Sequence, residues 1–381
     1  MAVIRKRKKL FFAFTLLLLF VLFELIGGTL IKWQSSFDYE GINNYSNIRQ
    51  MLLGTQASTL LPRFTGHANL NYTQTPGFIE FDREQVNTQG FRGDTLPLAK
   101  PDNTLRILFL GGSTTFGMSL GDYRQAFPHL VGQMLQKTDV LSNNKTKVEI
   151  INAGLMWGTS FELLSHYKYR YSYFKPDIVI IHTGGNDSQA YDNIKAYQPD
   201  YSHWRKNMEN IKPLTGLGHL LMKSKFVSFI VISLFYNNTG ENMFVHFKGK
   251  SAMPLFADNT FTSIPDSNYN VFYKNMNDLL TDLKTDSASV FIMPFVFNPN
   301  FDLSTISNNY YEGVETHNAM LKHLAQKHKT NWVDISNTDF IDDMWIDDCH
   351  LYDAGHVIKA RSIFEAVKSN LFKTEQRDSI Q

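Results

Sequence analysis

The chain has 381 residues and a balanced charge, with 37 Lys and Arg against 36 Asp and Glu, a net of +1. Hydrophobic residues make up 43% and charged residues 19%, so the chain can bury a sizeable core, and wholesale disorder is excluded. The weak net charge argues against a dedicated nucleic-acid-binding protein, which normally carries a basic face. The single cysteine, Cys349, excludes a disulfide within the chain and a zinc site built from several thiolates.

The N-terminus predicts a membrane anchor. A basic block at residues 5–9 precedes an apolar run at residues 10–31, which contains one acidic residue, Glu24. About 20 apolar residues are enough for a helix to cross a bilayer. Because positively charged flanks stay in the cytoplasm, we expect the rest of the chain on the far, extracytoplasmic side. A cleaved signal peptide is the alternative, but the run is long and bulky and no Ala-x-Ala site follows it.

The pattern changes near residue 100. Residues 33–100 are polar, sprinkled with aromatic side chains and poor in periodicity, and we predict an irregular segment that wraps the following domain. Over residues 101–375, short apolar runs alternate with longer amphipathic ones. This alternation is typical of βαβ units whose parallel sheet is covered on both faces. The sequence therefore predicts a three-layer α/β/α domain at residues 101–375, after an anchor at residues 1–32.

Predicted strands and helices alternate along this domain. The strands are predicted at 105–110, 148–152, 177–182, 289–294 and 331–334, and the helices at 123–137, 160–174, 270–283, 310–329 and 353–372. Residues 188–286 are too long for a simple connection, and we predict an insertion with helices of its own. Within it, residues 226–236 are almost continuously apolar. They fit either a buried helix that caps the sheet or a patch that dips into a membrane or a lipid substrate.

A glycine-rich turn follows the first predicted strand. Residues 111–114, Gly-Gly-Ser-Thr, stand at the carboxyl end of that strand, where a parallel sheet presents its ligands. The glycine spacing also fits a phosphate-binding loop, but Met118 stands where such a loop needs its lysine. Thr115 likewise excludes the G-x-S-x-G turn of the α/β-hydrolases. Ser113 is left as a candidate nucleophile with an exposed hydroxyl.

A candidate base and its orienting acid lie near the C-terminus. Asp347 and His350 are three residues apart, so on one turn the carboxylate can hold the imidazole in the tautomer that a serine nucleophile needs. We interpret His356, six residues further on, as a helix-packing residue. A metal site here is conceivable, but no further ligands cluster nearby in the sequence, and we predict none. Its candidate ligands would be Asp347, Asp348, His350 and His356.

Acyl transfer also needs hydrogen-bond donors for an oxyanion. Residues 184–187, Gly-Gly-Asn-Asp, follow the third predicted strand, and the side-chain amide of Asn186 can point from there at the reacting centre. The loop after the second strand contains Gly154 and Gly158, whose backbone amides are alternative donors. Ser, Gly, Asn and Asp-x-x-His thus stand in sequence order at four element boundaries, a combination that is improbable by chance.

These blocks resemble those of the SGNH (GDSL-type) hydrolase superfamily, in its membrane-anchored form. Residues 111–114 are similar to its first block, with Gly112 in place of the usual Asp. Residues 184–187 are similar to its third block and residues 347–351 to its fifth. The resemblance extends over roughly residues 105–372 without the insertion. It implies a flavodoxin-like sheet of five parallel strands and no cofactor.

The resemblance also implies roles for the site residues. It makes Ser113 the nucleophile, His350 the general base and Asp347 the residue that orients the base. The oxyanion hole would be formed by the Ser113 amide, the Gly158 or Gly154 amide, and the Asn186 side chain. Gly158 is the better fit to the oxyanion glycine of the second block, although its spacing from the start of that block is one residue off.

Three functions remain open. The first is an extracytoplasmic serine esterase that removes O-acetyl groups from a glycan or an envelope polymer. The second is an acyltransferase that uses the same residues to move an acyl group to a sugar. The third is a non-catalytic assembly or binding protein of the envelope, against which the intact Ser113, Asn186 and His350 speak. The expected partners are a membrane and an ester-bearing glycan or lipid, without nucleic acid, and the sequence does not indicate an oligomeric state.

Overall fold

The computed structural model describes residues 2–35, 45–55, 64–77, 79–80, 84–118, 120–138, 147–204, 213–235, 261–301 and 308–378. The chain divides into two compact units, one of residues 1–65 with 207–246 and the other of residues 66–206 with 247–381.

The helices and strands are numbered in chain order over the described residues. The helices are α1 (Ala2–Ser35), α2 (Tyr45–Leu53), α3 (Ser113–Phe116), α4 (Phe127–Gln136), α5 (Ser160–His166), α6 (Gly185–Ser188), α7 (Gly216–Met222), α8 (Lys225–Phe235), α9 (Val271–Thr285), α10 (Asn308–His328) and α11 (Asp353–Asp378). The strands are β1 (Phe64–His67), β2 (Asn71–Gln74), β3 (Ile79–Glu80), β4 (Glu84–Gln85), β5 (Thr104–Gly111), β6 (Lys147–Gly154), β7 (Ile178–His182), β8 (Ser289–Ile292) and β9 (Asn331–Trp332). Shorter 3-10 or π turns lie at Tyr123–Gln125, Tyr167–Tyr171, Ser172–Phe174, Gln189–Ala196, Asn337–Asp339 and Asp342–Met344.

A five-stranded parallel sheet forms the centre of the second unit. Its strand order is β6-β5-β7-β8-β9, which is the flavodoxin-like order 2-1-3-4-5. Each of its strands coincides with one of the predicted strands, with bounds that differ by at most two residues. The prediction of a three-layer α/β fold with a parallel five-stranded sheet is confirmed.

The predicted helices are also present, and two of them are broken. Where one helix was expected over 123–137, a 3-10 turn at Tyr123–Gln125 is followed by α4. The break falls at Ala126, whose backbone is extended at φ −69° and ψ 141°. Pro128 then lies in the first turn of α4, where no backbone N–H is needed. The helix expected over 160–174 similarly begins as α5 and continues as a π turn and a 3-10 turn.

Successive side chains of β5 enter opposite layers of the domain, as the pleat of a strand requires. Ile107 and Phe109 pack against α4 and α11 on one face, whereas Leu108 and Leu110 pack against α5, α9 and α10 on the other. All four side chains are fully buried. A strand that is covered on both faces has little room for polar side chains, which explains the continuous apolar run at residues 107–110 of β5.

Residues 33–100 differ from the irregular segment that low periodicity predicts. They contain α2 in the first unit, and short two-residue and four-residue strands further on. In the second unit, Arg92 is buried and donates to the backbone carbonyls of Phe116 and Leu120. The buried Arg106 in turn donates to the Glu149 carboxylate and to carbonyls at positions 97 and 98. The end of this segment is therefore bonded to the α3 turn through the Arg92 guanidinium and to β5 through the Arg106 guanidinium.

The described part of the first unit is helical. Among the described helices, α1 is long and apolar enough to cross a bilayer, with a mean hydropathy of 2.6, and α7 and α8 meet that criterion only as one bent pair. The apolar run at 226–236 forms α8, and Tyr236 lies outside the described residues. The buried Ile232 of α8 packs with Ile31 and Tyr45 in the core of this unit. α8 therefore packs in the core of the unit that contains the anchor helix. The interpretation of this run as a cap of the sheet stays a prediction.

Candidate active site

Three strands of the sheet end in the same row. In the ladder, Gly111 pairs with Gly154 of β6 on one side and with His182 of β7 on the other. A Cβ on Gly111 would lie 2.1 Å from Oγ1 of Thr115 and 2.3 Å from the His182 carbonyl oxygen, so no other residue fits there. The segments that follow β5, β6 and β7 consequently leave the sheet at one edge, and they are the segments that carry Ser113, Gly158 and Asn186.

Ser113 begins the short helix α3, directly after the turn at Gly112. Its Oγ lies 2.7 Å from Nε2 of His350. The Ser113 carbonyl accepts from the amide of Gly117, whose left-handed backbone (φ 80°) ends the helix. Within the described ranges, the Ser113 amide donates to no protein acceptor and is available for a ligand.

Asp347 holds His350 through both of its carboxylate oxygens. Oδ2 lies 2.7 Å from Nδ1 of His350, and Oδ1 accepts the backbone amides of His350 at 2.7 Å and Cys349 at 2.9 Å. Burial raises the pKa of Asp347, but the hydrogen bonds from His350 and the two amides outweigh it and bring this pKa to about 2. Since Asp347 is then ionised at ordinary pH, a neutral His350 carries its proton on Nδ1, and Nε2 can accept from the Ser113 hydroxyl.

Asn186 lies on the other side of Ser113. It belongs to α6, which begins after Gly184, a glycine with a positive φ of 125°. The Asn186 Nδ2 donates to the Gly158 carbonyl at 2.9 Å. A Cβ on Gly112 would come within 2.8 Å of that nitrogen. The amide is therefore packed against the backbone next to Ser113, and the glycine that stands in place of the superfamily's Asp is the residue that leaves room for it.

Neither of the two candidate oxyanion glycines has an uncommitted amide. The Gly158 amide donates to the Leu155 carbonyl at 2.8 Å, and the Gly154 amide donates to Oδ1 of Asn152 at 3.0 Å. The choice between Gly158 and Gly154 stays a prediction, and either amide would have to share or leave its present acceptor. Between them lies Trp157, which sequence reasoning missed. Its φ is 61°, a left-handed value that bulky residues rarely adopt and that often marks a functional loop.

Asp187 connects the loop after β7 to the loop after β6 through hydrogen bonds. Its buried carboxylate accepts the Ser160 hydroxyl at 2.6 Å, the Ser160 amide at 2.9 Å and the Tyr201 hydroxyl at 2.7 Å. Burial raises the pKa of Asp187 to about 6, against the opposing effect of these hydrogen bonds. Because Asp187 follows Asn186 and Ser160 begins α5 two residues after Gly158, the contact fixes the two loops relative to each other. Asp187 completes the Gly-Gly-Asn-Asp block, but its position in the sequence does not signal this contact.

A buried lysine lies beneath the end of β7. Nζ of Lys359, which is 1% exposed, lies 3.0 Å from Nε2 of His182. Burial lowers the pKa of Lys359 to about 7. His356, one turn earlier in α11, stacks on Phe127 and accepts the Phe127 amide through Nδ1 at 3.1 Å. His356 thus has packing contacts, whereas the pairing of Lys359 with His182 had no signal in the sequence.

One group of described side chains offers metal-ligand atoms within 4.8 Å of one another, namely Asp347, Cys349 and His350. Two of these atoms are already joined to each other, Oδ2 of Asp347 and Nδ1 of His350 at 2.7 Å. Burial raises the pKa of the Cys349 thiol well above its usual range, which disfavours the thiolate that a metal requires. The donor set is therefore better suited to orienting an imidazole than to binding an ion.

A serine, a histidine and an aspartate joined at the carboxyl edge of a flavodoxin-like sheet define the class of α/β/α serine hydrolases. The chain matches the family model of the GDSL-like lipase/acylhydrolase family over residues 109–358, which is more than half of its length. It belongs to this family and is a hydrolase of carboxylic esters. No curated protein matches the chain in sequence.

Solved structures of similar fold include esterases. An acetylxylan esterase, Axe2 from Geobacillus stearothermophilus, is 14% identical with a TM-score of 0.41, over 69% of this chain and 93% of that one. LAE5, an alpha/beta hydrolase from the metagenome of Lake Arreo in Spain, is 12% identical with a TM-score of 0.41, over 70% and 95%. The acetyl xylan esterase AlAXEase is 14% identical with a TM-score of 0.40, over 69% and 99%.

Proposed function

We propose that this protein is a membrane-anchored esterase that removes O-acetyl groups from a glycan or envelope polymer outside the cytoplasm, through an acyl-enzyme on Ser113. The observation that carries the proposal is the continuous hydrogen-bonded chain from Ser113 through His350 to Asp347, with both donor–acceptor distances at 2.7 Å. These are working distances for proton transfer.

In the first half of the reaction, the Ser113 oxygen attacks the ester carbonyl as Nε2 of His350 takes the hydroxyl proton. The tetrahedral intermediate then collapses, His350 returns the proton to the leaving sugar oxygen, and the acetyl group remains on Ser113. Asp347 stays ionised throughout and stabilises the imidazolium that forms in each step. Its pKa of about 2 supports this role, since a carboxyl so acidic does not take the proton itself.

In the second half, water attacks the acetyl-enzyme, His350 takes a proton from that water, and acetate leaves as the proton returns to Ser113. The tetrahedral intermediate of each half-reaction carries a negative charge on the former carbonyl oxygen. The Ser113 amide and the second N–H of Asn186 Nδ2 have no other described acceptor and supply two donors for it. One such donor raises kcat by a factor of about 10²–10³.

Two exposed aromatic side chains support a glycan substrate. Trp157 is 36% exposed and precedes Gly158, whose carbonyl holds Asn186. Tyr352 is 53% exposed and follows His350 by two positions. Aromatic rings of this kind present an apolar face with a polar handle, and such faces stack on the C–H face of a sugar ring.

The proposed location depends on α1 and its flanks. The basic residues at 5–9 precede the apolar run, and the positive-inside rule then directs the hydrolase unit away from the cytoplasm. A reporter enzyme that is active only outside the cytoplasm, fused after Gln381, is expected to be active. Activity of a cytoplasm-only reporter at the same position would overturn both the orientation and the envelope substrate.

The nucleophile is tested on the full-length, detergent-solubilised protein with p-nitrophenyl acetate and a serine-directed fluorophosphonate. Ser113→Ala is expected to abolish both turnover and labelling. Ser172→Ala is the matched control, because the Ser172 hydroxyl bonds to the Lys168 carbonyl within its own turn, and it is expected to behave as wild type. Phosphonate labelling of another serine in the Ser113→Ala protein would contradict the assignment.

The acceptor is tested by adding xylose or N-acetylglucosamine oligomers to the same reaction. Hydrolysis predicts that free acetate accounts for all of the p-nitrophenol released, and that acetylated oligomers lose their acetyl groups. If the acetyl group appears on the added sugar instead, the enzyme is an acyltransferase that uses the same residues.

A further inference from the structure

The inserted segment contains a helical hairpin whose exposed surface is apolar. The helices α7 and α8 are separated by two residues, and the chain bends by 110° between them. Large apolar side chains exposed together in this number mark an interaction site rather than ordinary water-exposed surface. Its large side chains, each 39% to 74% exposed, are Leu217, Leu220, Leu221, Ile230, Leu234 and Phe235.

The hairpin packs against the anchor helix within the first unit. A Cβ on Gly27 of α1 would lie 2.4 Å from the backbone of Phe226 in α8, so the two helix backbones approach as closely as only glycine permits. The rings of Phe23 and Phe226 lie 4.8 Å apart. The buried residues Gly27 and Ile31 are four positions apart and share one face of α1, and this face is the one that receives α8.

Glu24, the acidic residue inside the apolar run of the anchor, caps α8. Its Oε2 accepts the Lys225 amide at 2.8 Å, and its Oε1 accepts the Ser224 hydroxyl. A carboxylate within a membrane span is costly unless it is satisfied by a partner. Here the partner is the N-terminus of α8, whose unpaired amides favour a negative charge. Glu24, the acidic residue that interrupts the apolar run, thus binds the N-terminus of α8.

The course of α8 places it at the depth of the anchor's apolar run. α8 begins beside Glu24, and further along it Ser233 lies 3.3 Å from the Tyr45 hydroxyl. Ser46, next to Tyr45, bonds to Ser35 at the end of α1. α8 therefore runs beside residues 24–35 of α1, and residues 24–31 of that stretch belong to the apolar run.

We propose that the α7–α8 hairpin is a second membrane-inserted element, which enters the same leaflet as the C-terminal half of α1 and returns without crossing. This inference rests on the membrane anchoring proposed above. The 11 residues of α8 extend about 16 Å, roughly half of a hydrocarbon core, and the bend of 110° rules out one straight span. The exposed apolar side chains contact lipid acyl chains, and the Lys225 side chain lies along α1 towards its C-terminal end, with Nζ 3.8 Å from a Cβ built on Gly28.

The test is depth-dependent fluorescence quenching in proteoliposomes that contain the full-length protein. Single cysteines at Leu217 and Leu234 carry bimane, and the vesicles contain either plain or doxyl-labelled phosphatidylcholine. The native Cys349 is buried and stays in place, with labelled wild type as the background. Leu17→Cys, on an exposed position of α1, reports the anchor, and Leu98→Cys, on an exposed position of the second unit, is the water-facing control.

We expect doxyl lipid to quench bimane at positions 217 and 234 at least half as strongly as at position 17, with no quenching at position 98. Quenching at position 17 alone would overturn the hairpin insertion while leaving the anchor intact. If positions 217 and 234 are also protected from a water-soluble maleimide in that case, a protein surface covers the hairpin, which again contradicts lipid contact. Loss of quenching at position 17 itself would refute the anchoring on which both proposals depend.

Discussion

Replacing Asp347 by Asn removes one charge from the triad and leaves its shape almost unchanged. Both carboxylate oxygens are acceptors, Oδ2 for Nδ1 of His350 and Oδ1 for two backbone amides. The side-chain NH2 of an Asn would face either Nδ1 of His350 or the two backbone amides, and each of these groups is itself a donor. With the NH2 facing His350, the imidazole moves its proton to Nε2 and can no longer accept from Ser113. We expect kcat to fall by about 10²–10⁴ with little change in KM.

The cost in stability is small and can be worked from the same contacts. The pKa of Asp347 falls from 3.8 to about 2 in the folded chain. This lowering of the pKa corresponds to about 2.5 kcal/mol at most, and solvent screening reduces it because the side chain is 34% exposed. Since the folded pKa is the lower one, the contribution is complete above pH 3.8 and is lost as the pH falls through about 2. At pH 8 the Asn variant should therefore still be folded.

The adjacent acid provides the control. Asp348→Asn makes the same chemical change one residue away, but the Asp348 carboxylate bonds to Tyr310. Steady-state hydrolysis of p-nitrophenyl acetate at pH 8, with thermal unfolding of each variant, measures both effects. Asp348→Asn is expected to keep a kcat close to that of the wild type. An Asp347→Asn enzyme with near-normal kcat, or an equal loss in Asp348→Asn, would show that Asp347 does not orient the base.

Three further substitutions test the surroundings of the site. In Gly112→Ala, the new Cβ would lie 2.8 Å from Asn186 Nδ2 and displace this amide. We expect kcat to fall by roughly tenfold or more without unfolding of the protein. Unchanged kinetics would argue against Asn186 as an oxyanion donor. Lys359→Met removes a lysine whose pKa is lowered by burial to about 7. Between pH 7 and 10.5 this lysine is protonated in the unfolded wild-type chain but not in the folded one, so the unfolding free energy of the wild type rises with pH there. The difference in unfolding free energy, variant minus wild type, should therefore fall by about 3 kcal/mol between pH 6 and pH 9 in chemical denaturation. Arg106→Met leaves the buried Glu149 without its guanidinium partner and should cost about 3 kcal/mol in urea unfolding.

Much of the fold follows from one-dimensional patterns. Strands buried on both faces are mostly apolar, so β5 and β7 are visible in the sequence as short apolar runs followed by glycines. The Asp347–His350 pair is equally local, because one turn brings a carboxylate to an imidazole three residues away. These features need no knowledge of the rest of the chain.

Other features depend on contacts between distant residues, and the sequence does not reveal them. Glu24 meets Ser224, 200 residues away, and no local pattern in the sequence signals that α8 packs against the anchor helix. Lys359 meets His182 across 177 residues, and no pattern around either residue signals the pair. The sequence offers Gly158, with Gly154 as the alternative, as an oxyanion donor, and only the structure shows that each amide already has an acceptor.

The two halves of the triad therefore have different physical origins, and they should respond differently to damage. The bond between Asp347 and His350 is made within one turn, which a bridge between Trp345 and Leu351 closes, and it survives as long as that turn does. The bond between Ser113 and His350 joins residues 237 positions apart. Its length is set by the packing of α11 and Leu351 onto β5 in one core layer. A loosened core in that layer would separate the nucleophile from its base while the base stayed oriented. We therefore expect catalysis by the proposed triad to be more sensitive to the packing between sheet and helix than the local sequence motifs suggest.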